Sequence, residues 1–148
     1  MIAKSICAIF SVLFVLTSLT SCSTTAQVTS GNSNQCINVV NHGYPVAGTP
    51  LRLKPCDPWQ NQQWSIRNGQ MTGVGGFCVD VQGSAAVDGA PLIYAPCNGS
   101  PGQMWTAVNG TIVGIGGKCI DIGSDAQALP PLVIAACTGS ASQVWVLH

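Results

Sequence analysis

Gln62-Gln63-Trp64 is followed by Gln103-Met104-Trp105 and then by Gln143-Val144-Trp145, at Trp-to-Trp intervals of 41 and 40 residues. The cysteines keep the same beat. Cys36, Cys78 and Cys119 recur at intervals of 42 and 41, and Cys56, Cys97 and Cys137 follow them after 20, 19 and 18 residues. Self-similarity at a fixed period marks a repeat architecture, so the chain carries three copies of one unit of about 40 residues, at 36–77, 78–118 and 119–148.

Within a unit the pattern is that of short strands. Cys78-Val79-Asp80-Val81 alternates, Pro91-Leu92-Ile93-Tyr94 is a brief apolar run, and Gln103-Met104-Trp105-Thr106 leads into Asn109-Gly110. Asn-Gly between two such runs signals a two-residue hairpin, because both central residues of that turn need positive φ; Asn68-Gly69 repeats it in the first unit. The third copy stops three residues past its Trp, without the closing strand that Gln70-Met71-Thr72 and Thr111-Ile112-Val113 supply to the others. Gln27-Val28-Thr29-Ser30-Gly31 resembles Gln70-Met71-Thr72-Gly73 and is expected to complete the third unit in space; the alternative is a disordered linker over residues 23–35.

Composition narrows the function classes. The 148 residues suit one domain, and 47% apolar against 7% charged residues, with 17 Gly, 9 Pro and no Glu, argues against disorder, coiled coils and long helices. A formal charge of zero argues against a nucleic-acid partner held by counterion release. His42 and His148 are the two imidazoles, no Ser/His/Asp signature appears, and Asp80 and Asp121 occupy equivalent places in different repeats instead of forming an acid/base pair, so catalysis is not expected. No C-x-x-C or H-x-x-x-H spacing suggests a metal, and no cofactor is expected. His42 and Tyr44 read as solvated loop residues.

The N-terminus reads as an address. Lys4 precedes an apolar run from Ile6 to Leu16, too short for a mature membrane span. Leu19-Thr20-Ser21-Cys22 resembles the bacterial lipobox, which implies a leader over 1–21, a diacylglycerol thioether on Cys22 and an anchor-and-strand segment over 22–35. Ser23 after that cysteine resembles outer-membrane sorting, giving a periplasmic or surface-facing lipoprotein. The competing reading is ordinary cleavage after Ala26, leaving a leader over 1–26 and a secreted chain. Either route leaves six cysteines in an oxidising compartment, where disulfides are expected.

Three phased Gln-x-Trp units, each with an early cysteine and a second one some 19 residues on, resemble the ricin B-chain type lectin over residues 36–147. That resemblance implies an all-β fold, a β-trefoil of pseudo-threefold symmetry in which six strands close a barrel and three hairpins cap it. It also implies disulfides inside each repeat, Cys36 with Cys56, Cys78 with Cys97 and Cys119 with Cys137, and a core role for Trp64, Trp105 and Trp145. In the family, sugar contacts come from an Asp two residues after the first Cys, an aromatic two residues before the second, and an Asn-Gln pair ending at the Gln of Q-x-W. Asp80 and Asp121 match the Asp, with Asn38 at that place in the first repeat. The pair is Asn61-Gln62 in the first repeat, whereas Gln103 and Gln143 follow Gly102 and Ser142. Lys54, Ala95 and Ala135 stand at the aromatic position, so no repeat keeps the full set. Tyr94 lies one residue away, on the opposite strand face, and is expected in the core; Trp59, on the polar loop Asp57-Pro58-Trp59-Gln60, is a candidate substitute platform.

The function implied is an exported, non-catalytic carbohydrate-binding module, weak at each site and multivalent, for galactose-type or xylan-type glycans. The alternative is a protein-interaction subunit of a secreted complex, since lipidated trefoils with degraded pockets resemble the accessory subunits of cytolethal toxins. The membrane is reached only through the lipid anchor.

Overall fold

The computed structural model describes residues 25–40, 44, 46–124 and 128–148. The expected leader over 1–21 or 1–26 lies almost wholly outside them, as do Cys22, the expected anchor, and His42, expected to be solvated. Twelve strands form among the described residues, and every helical segment there is a single 3-10 turn. They are β1 (Val28–Ser30), β2 (Gln35–Val39), β3 (Thr49–Pro55), β4 (Ser65–Arg67), β5 (Gln70–Thr72), β6 (Phe77–Val81), β7 (Ala90–Pro96), β8 (Thr106–Val108), β9 (Thr111–Val113), β10 (Cys119–Ile122), β11 (Leu132–Ala135) and β12 (Trp145–Leu147).

Three long antiparallel hairpins, β2–β3, β6–β7 and β10–β11, carry the first and second cysteines of each unit into disulfide contact, Cys36–Cys56, Cys78–Cys97 and Cys119–Cys137. Three shorter pairs, β4–β5, β8–β9 and β12–β1, make the other six strands. Asn68-Gly69 and Asn109-Gly110 close the first two with φ of 51° and 76°, and of 49° and 79°, the left-handed backbone that a two-residue hairpin demands. In the third pair the N-terminal strand supplies the missing partner: Val28, Thr29 and Ser30 face Leu147, Val146 and Trp145, and the His148 N–H donates to the Gln27 carbonyl at 3.0 Å. The folded unit therefore begins ahead of Cys36.

A cycle of backbone hydrogen bonds closes the six short strands into a barrel. The Trp105 N–H donates to Gly69 O at 2.6 Å and Trp145 N–H to Gly110 O at 2.8 Å, each onto the hairpin turn of the preceding unit. Trp64 N–H donates to Ala26 O at 2.8 Å, so the N-terminal segment stands where the third turn would be. Closure pairs strand edges that would otherwise be open to another chain.

The hairpin cap has its own cycle. Gly48 N–H donates to Tyr94 O and Gly89 N–H to Ile134 O, at 2.9 and 2.8 Å. At the third junction Leu53 N–H donates to Pro130 O at 2.9 Å.

Core side chains stack in threefold layers because equivalent positions repeat. Val28, Met71 and Ile112 come from the barrel, Leu51, Leu92 and Leu132 from the cap, and all are at most 1% exposed. Trp64, Trp105 and Trp145 are 1%, 2% and 3% exposed, and each indole N–H donates to the carbonyl one residue past its unit's first cysteine, Ile37, Val79 or Ile120, at 3.0, 3.0 and 3.1 Å. Tyr94 is fully buried, edge-on to Trp64 at 5.9 Å between centroids, with its hydroxyl donating to Val74 O; burial raises its pKa above the ordinary phenol value.

Candidate functional site

Each unit builds the same polar clasp. After the second cysteine the chain turns through Asp57, Asn98 or Thr138, whose side-chain oxygen accepts the N–H two residues on, from Trp59, Ser100 or Ser140. A 3-10 turn then delivers the Gln of Gln-x-Trp back under that loop. Its Oε1 accepts the N–H of Asp57, Asn98 or Thr138, at 2.8 Å in all three. Its Nε2 donates to the carbonyl of Pro55, Pro96 or Ala136, at 3.1, 2.9 and 2.8 Å, and also reaches across to the polar side chain two residues past the first cysteine. Those partners are Asn38 at 3.4 Å, Asp80 at 3.0 Å and Asp121 at 2.9 Å.

Gln62, Gln103 and Gln143 are 0%, 0% and 1% exposed. The structure thus places all three beneath the surface, where they aim the Asn or Asp and tie it to the disulfide loop. They are positioning residues.

Above the Gln the three units differ. In the first, Asn38 and Asn61 are both buried, and Asn61 Nδ2 donates to Asn38 Oδ1 at 2.7 Å and to Val39 O at 3.3 Å. Lys54, at the position where the family carries an aromatic, forms a 3.1 Å ion pair with Asp57. Trp59 is 70% exposed, on a loop pinned by its own N–H to Asp57 Oδ1 at 3.1 Å and by Gln62 N–H to its carbonyl at 3.1 Å. A pocket of 380 Å³ lined by Gln27, Asp57, Pro58 and Gln63 opens beside that loop, with Gln27 Nε2 donating to Asp57 O at 2.6 Å.

In the third unit Asp121 is partly exposed, its Oδ2 on Gln143 and its Oδ1 accepting the Ile122 N–H at 2.7 Å. Ser142, at the Asn61 position, shares a 3.0 Å hydrogen bond with Ser140. In the second, Asp80 Oδ2 is held by Gln103, but Oδ1 is out of solvent with no hydrogen-bond partner, the one such side-chain atom among the described residues. A Cβ on Gly102 would stand 2.6 Å from that oxygen and 2.9 Å from Ser84 Oγ, and the sequence reading did not single out Ser84. The signal was present in Gly102, where the first unit has Asn61.

Tyr44 is 80% exposed on the loop after β2, in line with a solvated reading. Among the described residues no cluster of three His, Cys, Asp or Glu side chains is placed to hold a metal ion.

The arrangement can orient polar side chains toward hydroxyl groups three times around one axis. No curated protein matches the chain by sequence. Among solved structures, the designed 3-fold symmetric protein ThreeFoil superposes with a TM-score of 0.74 at 20% identity, over 83% of this chain and 96% of that one. The C-half of the earthworm R-type lectin, solved with GalNAc, gives 0.71 at 16% identity, over 84% and 97%. A non-toxic homologue of type II RIPs from Momordica charantia (bitter gourd), solved with α-methyl-D-galactoside, gives 0.72 at 21% identity, over 84% of this chain and 47% of that one. Identities this low establish the β-trefoil alone, but the ricin-type beta-trefoil lectin domain matches by sequence across residues 24–145, and with the threefold clasp and its three disulfides this chain belongs to that family.

Proposed function

We propose that the domain is a non-catalytic carbohydrate-binding module that takes galactose-type or xylan-type glycans weakly at single sites and multivalent glycans more tightly. The observation that carries this reading is the repeated clasp, a buried Gln fixing Asn38, Asp80 or Asp121 within a lectin-family domain. An ionised Asp accepts sugar hydroxyls in charge-assisted hydrogen bonds, and an Asn both donates and accepts. Asp121 and Asp80 do the former, Asn38 and Asn61 the latter, and Trp59 offers the exposed ring on which a pyranose can stack. The galactosides bound by the earthworm and bitter-gourd proteins favour the galactose type.

Stacking is the weak half of the site. With Lys54, Ala95 and Ala135 at the family's aromatic position, a single site binds in the millimolar range, about −4 kcal/mol, and several sites on one glycan act together because the second contact is intramolecular. The test is a glycan array followed by titration of Asp121→Ala, Asp80→Ala, Asn61→Ala and Trp59→Ala against the best ligand, with folding checked by thermal melts. Affinity unchanged in all four removes these residues from the site. No binding to any glycan moves the reading to the protein-interaction subunit, which the missing aromatics favour.

The module is exported and anchored in a bacterial outer membrane through Cys22, a reading supported by Leu19-Thr20-Ser21-Cys22 after the apolar run. Labelled palmitate should enter the wild-type chain and not Cys22→Ser; equal labelling of both rejects the anchor.

A further inference from the structure

The three units differ most at one atom. In the first, the Asn61 amide fills a slot between Asn38 Oδ1 and Val39 O, donating to both. The equivalent acceptors in the second unit are Asp80 Oδ1 and Val81 O, and the equivalent of Asn61 is Gly102, which has no side chain to put there. A Cβ on Gly102 would stand 2.6 Å from Asp80 Oδ1, 3.2 Å from Val81 O and 2.9 Å from Ser84 Oγ. The Ser84 hydroxyl borders the place where that side chain would go, and Asp80 Oδ1 is left sealed from water without a donor. A sealed, unpaired carboxylate oxygen is unfavourable.

The turn beside it is strained at Ser84. Gly83 and Ser84 are both left-handed, at φ of 65° and 50°, and serine has no glycine-like freedom there. The bond that closes the turn, Ala85 N–H to Gln82 O, is long at 3.4 Å, and Gln82 and Gly83 already face solvent. Strain and an unpaired acceptor thus meet at one place, which narrows the gap between the shut form and one with the turn lifted. Lifting it would bare Oδ1 while Gln103 keeps hold of Oδ2, so the carboxylate is aimed before a ligand arrives. The third unit has no such vacancy, since Asp121 Oδ1 already accepts the Ile122 N–H.

We infer that the second unit's site is gated: the Gln82-Gly83-Ser84 turn shuts it in the free protein and lifts to admit a glycan hydroxyl, which donates to Asp80 Oδ1 in the place the Asn61 amide holds in the first unit. The occupant rests on the carbohydrate reading; the gate does not. Both are read in the whole chain by amide hydrogen exchange without ligand and by NMR titration with lactose and with xylobiose, in wild type, Gly102→Ala and Gly102→Asn. In wild type the Ser84 and Ala85 amides should exchange at least about tenfold faster than those inside β6 and β7. Gly102→Ala wedges the turn open with no donor, so exchange rises and the sugar-induced shifts around Asp80 grow. Gly102→Asn opens it and fills the slot, so exchange rises and those shifts vanish while shifts around Asp121 persist. Turn amides as protected as β6 and β7 in wild type overturn the gate even if sugars shift Asp121, and equal sugar responses of the Ala and Asn variants overturn the slot. Sugars that shift no amide in any unit overturn the carbohydrate reading and the occupant with it. The wild-type exchange decides the gate if both variants misfold.

Discussion

A buried glutamine with four hydrogen-bonding demands is an odd choice for a core unless each is met. Gln143 meets them by accepting from Thr138 N–H at 2.8 Å and from the Thr138 hydroxyl at 3.4 Å, and by donating to Ala136 O and Asp121 Oδ2 at 2.8 and 2.9 Å. Replacing it with Leu preserves much of the volume but takes the partner from the Thr138 N–H and the Ala136 carbonyl, both in part-buried bonds, each costing about 1–3 kcal/mol where water does not reach it. We expect Gln143→Leu to lower stability by about 2–4 kcal/mol in urea titrations and to release Asp121 from its orientation. Trp145→Phe should cost a similar amount, through the orphaned Ile120 carbonyl and the space left by the indole, yet leave Asp121 on Gln143. Glycan binding at the third unit lost in both variants alike would refute the division of labour between the two residues of the motif.

At the scale of elements, the third hairpin is the informative one. Aligning the ladders, Gln27-Val28-Thr29 stands where Gln70-Met71-Thr72 and Thr111-Ile112-Val113 stand, with Val28, Met71 and Ile112 buried alike. The difference is that β12 and β1 lack a covalent turn, although His148 N–H and Gln27 O are 3.0 Å apart. The position of the break is therefore exchangeable among the three hairpins. A permuted chain that joins His148 to Gln27 through Asn-Gly and opens between Asn68 and Gly69 should fold with the same disulfides and a stability within about 2 kcal/mol of the original, because one tight closure replaces another. Loss of the near-native circular dichroism and cooperative melt in the permuted chain would show that β1 has a role beyond supplying a strand.

This element was legible because its pattern repeats elsewhere in the chain, as were the twelve short strands, the Asn-Gly turns and the phasing of Gln-x-Trp. The inequality of the three sites was less legible. Asp80 and Asp121 look alike in sequence and are both half-buried, yet next to Gly102 one oxygen of Asp80 is out of solvent and unpaired, whereas both oxygens of Asp121 are paired. Tertiary closeness between residues 80, 84 and 102 follows from how two loops fall together, which no periodicity records.

For the molecule as a whole, each disulfide lies inside one unit, so the units are joined by what crosses between them. The two cycles of backbone hydrogen bonds do this at barrel and cap, and side chains add to them: Tyr94 O–H donates to Val74 O, Arg52 Nη1 donates to Leu129 O at 2.7 Å, and Asp88 makes a third link. Asp88, on the loop between β6 and β7, accepts from Lys118 Nζ and, at 3.0 Å, from the Ala136 N–H, tying the second unit to the third. The hydrogen bond from Lys118 is the main cause that holds the Asp88 carboxyl below its ordinary value of 3.8. A folded pKa below the unfolded one means that the unfolded chain binds more protons across that interval; the contribution is complete above about pH 3.8 and fades as pH falls through the folded value. Asp88→Asn keeps a weaker acceptor and loses the charge, so its melting temperature should lie below wild type at pH 7. The difference should shrink at a pH below 3.8, and because the pair is exposed, 0.5 M salt should reduce it at neutral pH as well. Melts at both pH values and both salt concentrations test the assignment; a gap that persists undiminished at low pH would place the effect of Asp88 in loop geometry and not in its charge.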